Sequence, residues 1–256
     1  MSDWLIALAA AGAVSFTAWR LGALSLSGAL SGSLVGAVVF HFAGLGAAAV
    51  LVLFFVTSSA LSALPPAGER TARNARQVMA NGSIAAGAAV ATALFDFETA
   101  AEVAFLGAVA AATADTWATE IGVRWGRRPR SLLTLQRQPP GTSGAVSLPG
   151  SAAALVGALA VGSAGAWWLV GLHGRDAVAV ALAGFIGSLV DSLLGAGPQA
   201  VYDCRACGAS PQVARHSGCE TRASRVRGVP GLDNDVVNWV ATGMGAAAAL
   251  LLRGLF

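Results

Sequence analysis

The sequence predicts an all-α integral membrane protein: a polytopic helical bundle of about eight transmembrane helices with a small cytoplasmic Cys/His loop. Three observations predict it. The 256 residues are 55% hydrophobic and only 11% charged, against roughly 25% charged in soluble domains, and the mean hydropathy is +0.67. Apolar runs approaching the ~20 residues that cross a bilayer recur along the whole chain. The 32 glycines suit helices that approach closely in lipid, where small residues make the contact.

The runs fall at 3–18, 22–42, 45–63, 79–95, 100–121, 149–172, 177–200 and 235–253. Met1-Ser-Asp-Trp carries no positive n-region, so the first run reads as a retained span and not a cleaved signal. In the second, Gly28, Gly32 and Gly36 form a small-xxx-small repeat, read as helix packing. The chain therefore reads as one transmembrane domain, 1–256, with a cytoplasmic insertion at 201–232. Tryptophans and Tyr202 fall largely near span ends, as interface anchors do. Trp117 reads as packing, and His41 and His173 need no special role.

All sixteen basic residues are Arg. Without Lys there is no Walker A loop, Schiff base or pyridoxal chemistry, so phosphate binding would fall to Arg, backbone amides, helix N-termini and metal ions. Fourteen Arg lie in the loops around 19–21, 64–78, 122–148 and 201–234, and two, Arg175 and Arg253, lie on the opposite side. The positive-inside rule then puts the long loops in the cytoplasm and both termini outside, across a membrane expected to be a prokaryotic inner membrane.

The chain is organised around Ala114-Asp-Thr-Trp-Ala-Thr-Glu-Ile-Gly122, an apolar helix ending in acid. Intramembrane carboxylates are functional candidates by default, being unfavourable there unless paired or used. Asp115 and Glu120 are about 140° apart on a helix, flanking one groove. Asn81, Asp191 and the run Asp233-Asn-Asp-Val-Val-Asn238 lie at the same depth, so four helices deliver carboxylates and amides to the inner interface. An interfacial salt-bridge belt would explain exposed acids, but these sit inside apolar stretches.

Asp, Glu and Asn offer hard oxygen ligands for Mg²⁺, which often takes one or two carboxylates together with substrate phosphates. Surrounding Arg suit bidentate phosphate binding. Together they suggest phosphoryl or nucleotidyl transfer at the membrane surface, mostly by positioning and charge neutralisation. Arg137-Gln-Pro-Pro-Gly-Thr-Ser-Gly144 is a Gly-rich turn that could form an anion nest. Arg73, Gln77 and Asn81 follow at i, i+4 and i+8, close to one stripe. Cys204-x₂-Cys207-x₈-His216-x₂-Cys219 uses every cysteine and has the spacing of a closed, structural Cys₃His zinc knuckle.

Ala114-Asp-Thr-Trp-Ala-Thr-Glu-Ile-Gly, Pro140-Gly-Thr-Ser-Gly, Gly187-Ser-Leu-Val-Asp-Ser-Leu-Leu-Gly-Ala and Asn234-Asp-Val-Val-Asn resemble the signature segments of one integral membrane family. It was long catalogued as a domain of unknown function (family 92), and includes vertebrate transmembrane protein 19 and the plant and cyanobacterial phytyl-phosphate kinases. The resemblance runs from about Leu21 to Leu252. It implies a CTP-dependent prenyl-phosphate (phytyl or geranylgeranyl phosphate) kinase that makes the isoprenyl diphosphate. It also implies Asp115, Glu120, Asp191, Asn234, Asp235 and Asn238 as metal and phosphate residues, with Gly141, Thr142 and Ser143 beside them.

The expectation is then Mg²⁺ on Asp115, Glu120, Asp191 and Asp235, which also carry catalysis. CTP and prenyl monophosphate would meet Arg73, Gln77, Asn81, Arg124, Arg128, the Gly141 loop, Asn234 and Asn238. Zinc would be held by Cys204, Cys207, His216 and Cys219. The partners are these small molecules and the lipid bilayer, with no nucleic acid. Two rivals remain: a membrane cytidylyltransferase acting on a lipid phosphate, and a non-enzymatic lipid-phosphate or ion transporter.

Overall fold

The computed structural model describes residues 2–65, 72–94, 98–169, 172–204, 206, 215–216, 219 and 221–255; for 2, 98, 215–216 and 221–222 it describes the backbone alone. The helices are α1 (Ser2–Arg20), α2 (Leu26–Ser62), α3 (Ala75–Leu94), α4 (Glu98–Trp125), α5 (Leu148–Trp168), α6 (Gly174–Ala196) and α7 (Asn234–Arg253). Among the described residues five of them, α2, α3, α5, α6 and α7, are long and apolar enough to cross a membrane. The chain is an integral membrane helical protein, but the expected eight spans are corrected to seven helices among the described residues.

Two expected spans, 22–42 and 45–63, are merged in α2. Gly44, at φ 78° and ψ −175°, leaves helical space inside it, a conformation open to glycine. The Ser25 N–H donates to Arg73 O, while the Arg73 guanidinium donates to Ser59 and Ser62. Both ends of α2 thus meet at Arg73, although a straight 37-residue helix would be about 55 Å long. The element is a hairpin whose arms turn back at Gly44.

The same reasoning defines two ends of the bundle. At one, Trp4 stacks on His41 with centroids 4.0 Å apart, Thr92 donates to Phe42 O, and Arg253 Nε lies 3.1 Å from Asp176 Oδ1. At the other, Ser62 meets Glu120, Arg76 meets Asp233 at 2.8 Å, and Arg227 donates to the last carbonyls of α6. A cation there complements the C-terminal end of the helix dipole. α1 begins and α7 ends at the first, Arg-poor end.

Helix α4 is the axis. Its stretch Phe105–Ala114 is buried on all sides, so its acids cost less than they would on a lipid-facing helix. Small residues allow the approach: a Cβ on Gly107 would fall 2.4 Å from Gly245 O of α7, and one on Gly187 of α6 would fall 2.5 Å from the Ala111 Cβ. The repeat on α2 is packing too, with Gly32 against Ser15 and Gly36 against Ala11 of α1; Gly28 instead meets the Arg73 backbone.

The polar end also carries strand structure that the all-helical reading did not anticipate. β1 (Arg130–Ser131) pairs antiparallel with β2 (Ala145–Val146), β3 (Val201–Asp203) with β6 (Ser224–Arg227), and β4 (Arg215–His216) with β5 (Thr221–Arg222). The insertion at 201–232 is therefore built on two short β-ribbons. Cys204 is buried and Cys219 half-buried. Cys207 lies outside the described residues, as does the His216 side chain.

Candidate functional site

A cavity of about 460 Å³ opens at the Arg-rich end between α3, α4, α5, α6 and α7. Five of its walls follow from where helices begin and end. α4 and α6 arrive with their C-terminal halves, carrying Asp115 and Asp191. α3, α5 and α7 start here and present first-turn residues Gln77, Gly150 with Ser151, and Asn234. Helix N-termini offer unpaired N–H groups and positive dipole ends, a setting for anions. Carboxylates and anion-binding amides thus face one another across a single space.

Asp115 and Asp191 are neighbours in the wall of this cavity, and Asp191 Oδ2 is buried without a hydrogen-bond partner. Two carboxyl groups side by side in a low-dielectric interior repel unless a proton or a cation lies between them. Among the described residues no three His, Cys, Asp or Glu side chains gather as a metal set. Two carboxylates are nonetheless what Mg²⁺ commonly takes from protein, with waters and substrate phosphates completing its shell. The residues present fit that ion.

Glu120 is differently engaged. Its Oε1 accepts from Ser62 Oγ at 2.5 Å, and its Oε2 lies 2.5 Å from Arg124 Nη1. Arg124, expected in a loop, belongs to the last turn of α4 and its side chain is only 3% exposed. Its Nη2 donates to Leu64 O, so the pair clamps the end of α4 to the end of α2. Arg73, before α3, donates to Ser59 at 3.0 Å and to Ser62 at 3.3 Å. Burial holds the Arg73 guanidinium below its ordinary pKa, and Glu120 pulls it partly back up. Glu120→Gln leaves the buried Arg124 without its counter-charge, and lowers stability by about 1–3 kcal/mol. A thermal midpoint in detergent equal to wild type would contradict this positioning role.

Gln77 is a helix cap before it is a ligand. Asn74 N donates to Gln77 Oε1 at 3.0 Å and Gln77 N to Asn74 Oδ1 at 3.2 Å, the reciprocal pattern of a capping box. Asn81 lies one turn deeper than expected, because α3 begins at Ala75 instead of 79, and donates to Gln77 O.

The Gly-rich loop lies over the mouth, with Gly141, Thr142, Ser143 and Gly144 all lining the cavity. Gly141 (φ 82°) and Gly144 (φ 76°) take left-handed conformations that favour glycine. Ser143 Oγ lies 2.7 Å from Gln199 Oε1, and Gln199 Nε2 lies 3.5 Å from Asn234 Oδ1. Gln199, only 1% exposed, therefore ties the loop to the start of α7. The loop is closed below by the β1–β2 pairing.

Of the residues singled out in the sequence, Asp115, Glu120, Asp191, Arg73, Gln77, Asn81, Arg124, Gly141, Thr142, Ser143, Asn234 and Asn238 all line this cavity. Two do not. Asp235 turns outward, its Oδ2 3.5 Å from Arg76 Nε, and Arg128 is exposed beyond the lining. Trp117 is outside it as well and packs on Gly157. The sequence reading missed the hydroxyls Thr116, Thr119, Ser147, Ser151, Ser188 and Ser192, and the strut Gln199. Ser188 and Ser192 stand three residues before and one after Asp191, a spacing that could have placed Ser188 on its face.

Of three similar proteins, two are described as membrane proteins. Protein PGR of Arabidopsis thaliana is 29% identical over 263 residues, 89% of this chain and 88% of that protein. Uncharacterized membrane protein MJ0933 of Methanocaldococcus jannaschii is 29% identical over 68% of this chain and 74% of its own length. Uncharacterized membrane protein sll0875 of Synechocystis is 31% identical over 53% of this chain and 42% of its own. No solved structure matches. Residues 9–246 match the family described as Integral membrane protein DUF92, and the chain belongs to that family.

Proposed function

We propose that this protein is a CTP-dependent prenyl-phosphate kinase working with Mg²⁺ at the cytoplasmic face of the membrane. One observation carries the reading: the Asp115–Asp191 pair, with its unpartnered buried oxygen, opens on a cavity otherwise walled by helix N-termini, arginines and a Gly-rich loop. That is a place for a cation between phosphates. An Mg²⁺ ion held by Asp115 and Asp191 would neutralise phosphate charge during transfer.

In the reaction an oxygen of the prenyl monophosphate attacks the γ-phosphorus of CTP. The bond from that phosphorus to the β,γ-bridging oxygen breaks, and CDP leaves with the electron pair. The attacking oxygen is already anionic, so no strong general base is required. The chain's part is to hold two phosphorylated groups in line, which is where most of the rate enhancement in such reactions lies. Arg73 offers a cation to one phosphate, and the amides of the Gly141–Gly144 loop and of the α5 and α7 N-termini suit the other. Glu120 positions Arg124, and Gln199 positions the loop.

A transport path would need polar groups continuing through the bundle. Below Asp115 the α4 positions 108–112 are Ala, Val, Ala, Ala and Ala, all buried. Thr113 bonds its own helix at Val109 O. This favours a one-sided site. The orientation follows from the Arg-rich end facing inward.

The test is purified protein with Mg²⁺, CTP and geranylgeranyl or phytyl monophosphate, with products resolved by mass. CDP and a prenyl diphosphate are expected, and chelation of the metal should abolish them. Pyrophosphate with a CDP-linked lipid would move the protein to the cytidylyltransferases.

A further inference from the structure

A second cavity of about 350 Å³ lies between α1, both arms of α2 and α3. Its lining is apolar apart from Ser15 and one polar edge, formed by Arg73, Gln77, Asn81 and Thr116. Those four residues also line the first cavity. The two spaces therefore adjoin, and polarity changes across a single row of side chains. From Phe55 near that row to Leu45 at the far end, the rise of α2 gives a length of about 15 Å. Val14, Leu45 and Val52 line the groove and are also exposed on the bundle's perimeter, so it opens sideways towards the bilayer.

We propose that this groove holds the single hydrocarbon chain of the phosphorylated substrate. The chain enters laterally from the membrane, and Phe40 with Leu45 at the Gly44 bend closes the far end and sets the length accepted. The inference rests on the preceding reading that the substrate is a lipid phosphate. The occupant follows from the junction: an anionic head beside Arg73 meets the only cation on the shared row, while its chain continues into a space whose lining beyond that row is apolar but for Ser15. An apolar lining favours hydrocarbon over water, and the space lies at the lower end of ordinary ligand pockets, about 300–1,000 Å³. Lateral entry keeps the chain out of water throughout.

The experiment uses the full chain in nanodiscs with a diazirine-bearing geranylgeranyl phosphate, adducts being located by peptide mass. Labelling is expected on α1, α2 and α3, and is competed by excess unlabelled prenyl phosphate but not by the corresponding alcohol. Labelling on α5, α6 or α7, none of which lines the groove, or equal competition by the alcohol, overturns the proposal and leaves the groove a filler site for bulk lipid. Two variants give opposite signs that a folding defect cannot mimic. Ala49→Phe lowers competition by geranylgeranyl phosphate relative to geranyl phosphate by at least about tenfold, and Phe40→Ala shifts the ratio the other way. Unchanged ratios in both would remove the length-setting role. If no nucleotide is turned over while phosphate-competed labelling stays on these helices, the chain site holds and the kinase reading falls. Turnover with labelling elsewhere does the reverse.

Discussion

Asp115→Asn and Asp191→Asn each reduce prenyl-phosphate phosphorylation by at least about a hundredfold, with the fold intact. A hundredfold is about 2.7 kcal/mol of transition-state stabilisation, well within the several kcal/mol a bound cation contributes to charge neutralisation. Asn keeps the shape and one oxygen of Asp but loses the charge that would hold Mg²⁺. Stability should move the other way. The two carboxyls are buried neighbours in the wall of the cavity, and removing one relieves their repulsion. A thermal midpoint equal to or above wild type, together with lost turnover, is the pattern of a site that trades stability for function. Near-native rates in both variants would sink the proposed chemistry. A fall in midpoint matching the fall in rate would make the pair structural.

Gly144→Ala should also be damaging, by a different route. At φ 76° a non-glycine residue carries roughly 1–3 kcal/mol of strain. A Cβ there would also fall 2.0 Å from Ala196 N and 2.3 Å from Ala196 Cα, backbone that cannot rotate away. The loop must lift off the end of α6, breaking the Ser143–Gln199 contact. The expected result is a loss of at least about tenfold in kcat/KM for the nucleotide, since a misplacement near 1 Å is enough for such a loss. Gly141→Ala is the comparison: it has φ 82° as well, but a Cβ there meets only Val123 Cγ2 at 3.8 Å. It should retain more activity than Gly144→Ala. Equal kinetics in the two variants would mean that the contact with α6 does not position the loop.

Much of the site was legible because membrane sequences are quiet. In a chain with 13 acidic residues, a carboxylate inside an apolar run stands out, and Asp115 and Asp191 were found that way. The hydroxyls around them were not, since Ser and Thr are ordinary packing residues in such helices and bond their own backbone, as Thr116 does to Ala112 O. Gln199 lay at the end of the expected span 177–200, and nothing local marks it as a strut. Asp235 was grouped with Asn234 and Asn238 by proximity in sequence. Yet one residue along a helix is about 100° of rotation, enough to turn it to Arg76 while Asn234 faces inward.

The sequence by itself determined the environment, the helical class, the arginine asymmetry and the depth at which polar groups gather. Those are properties of composition and of single helices, set by transfer between water and lipid. Only the tertiary structure decided that Gly44 folds α2 back on itself, that Glu120 serves Arg124, and that an apolar groove adjoins the acidic cavity. These depend on which helix lies against which. Packing among small residues, whose surfaces look alike in sequence, selects the neighbours only when the whole bundle closes.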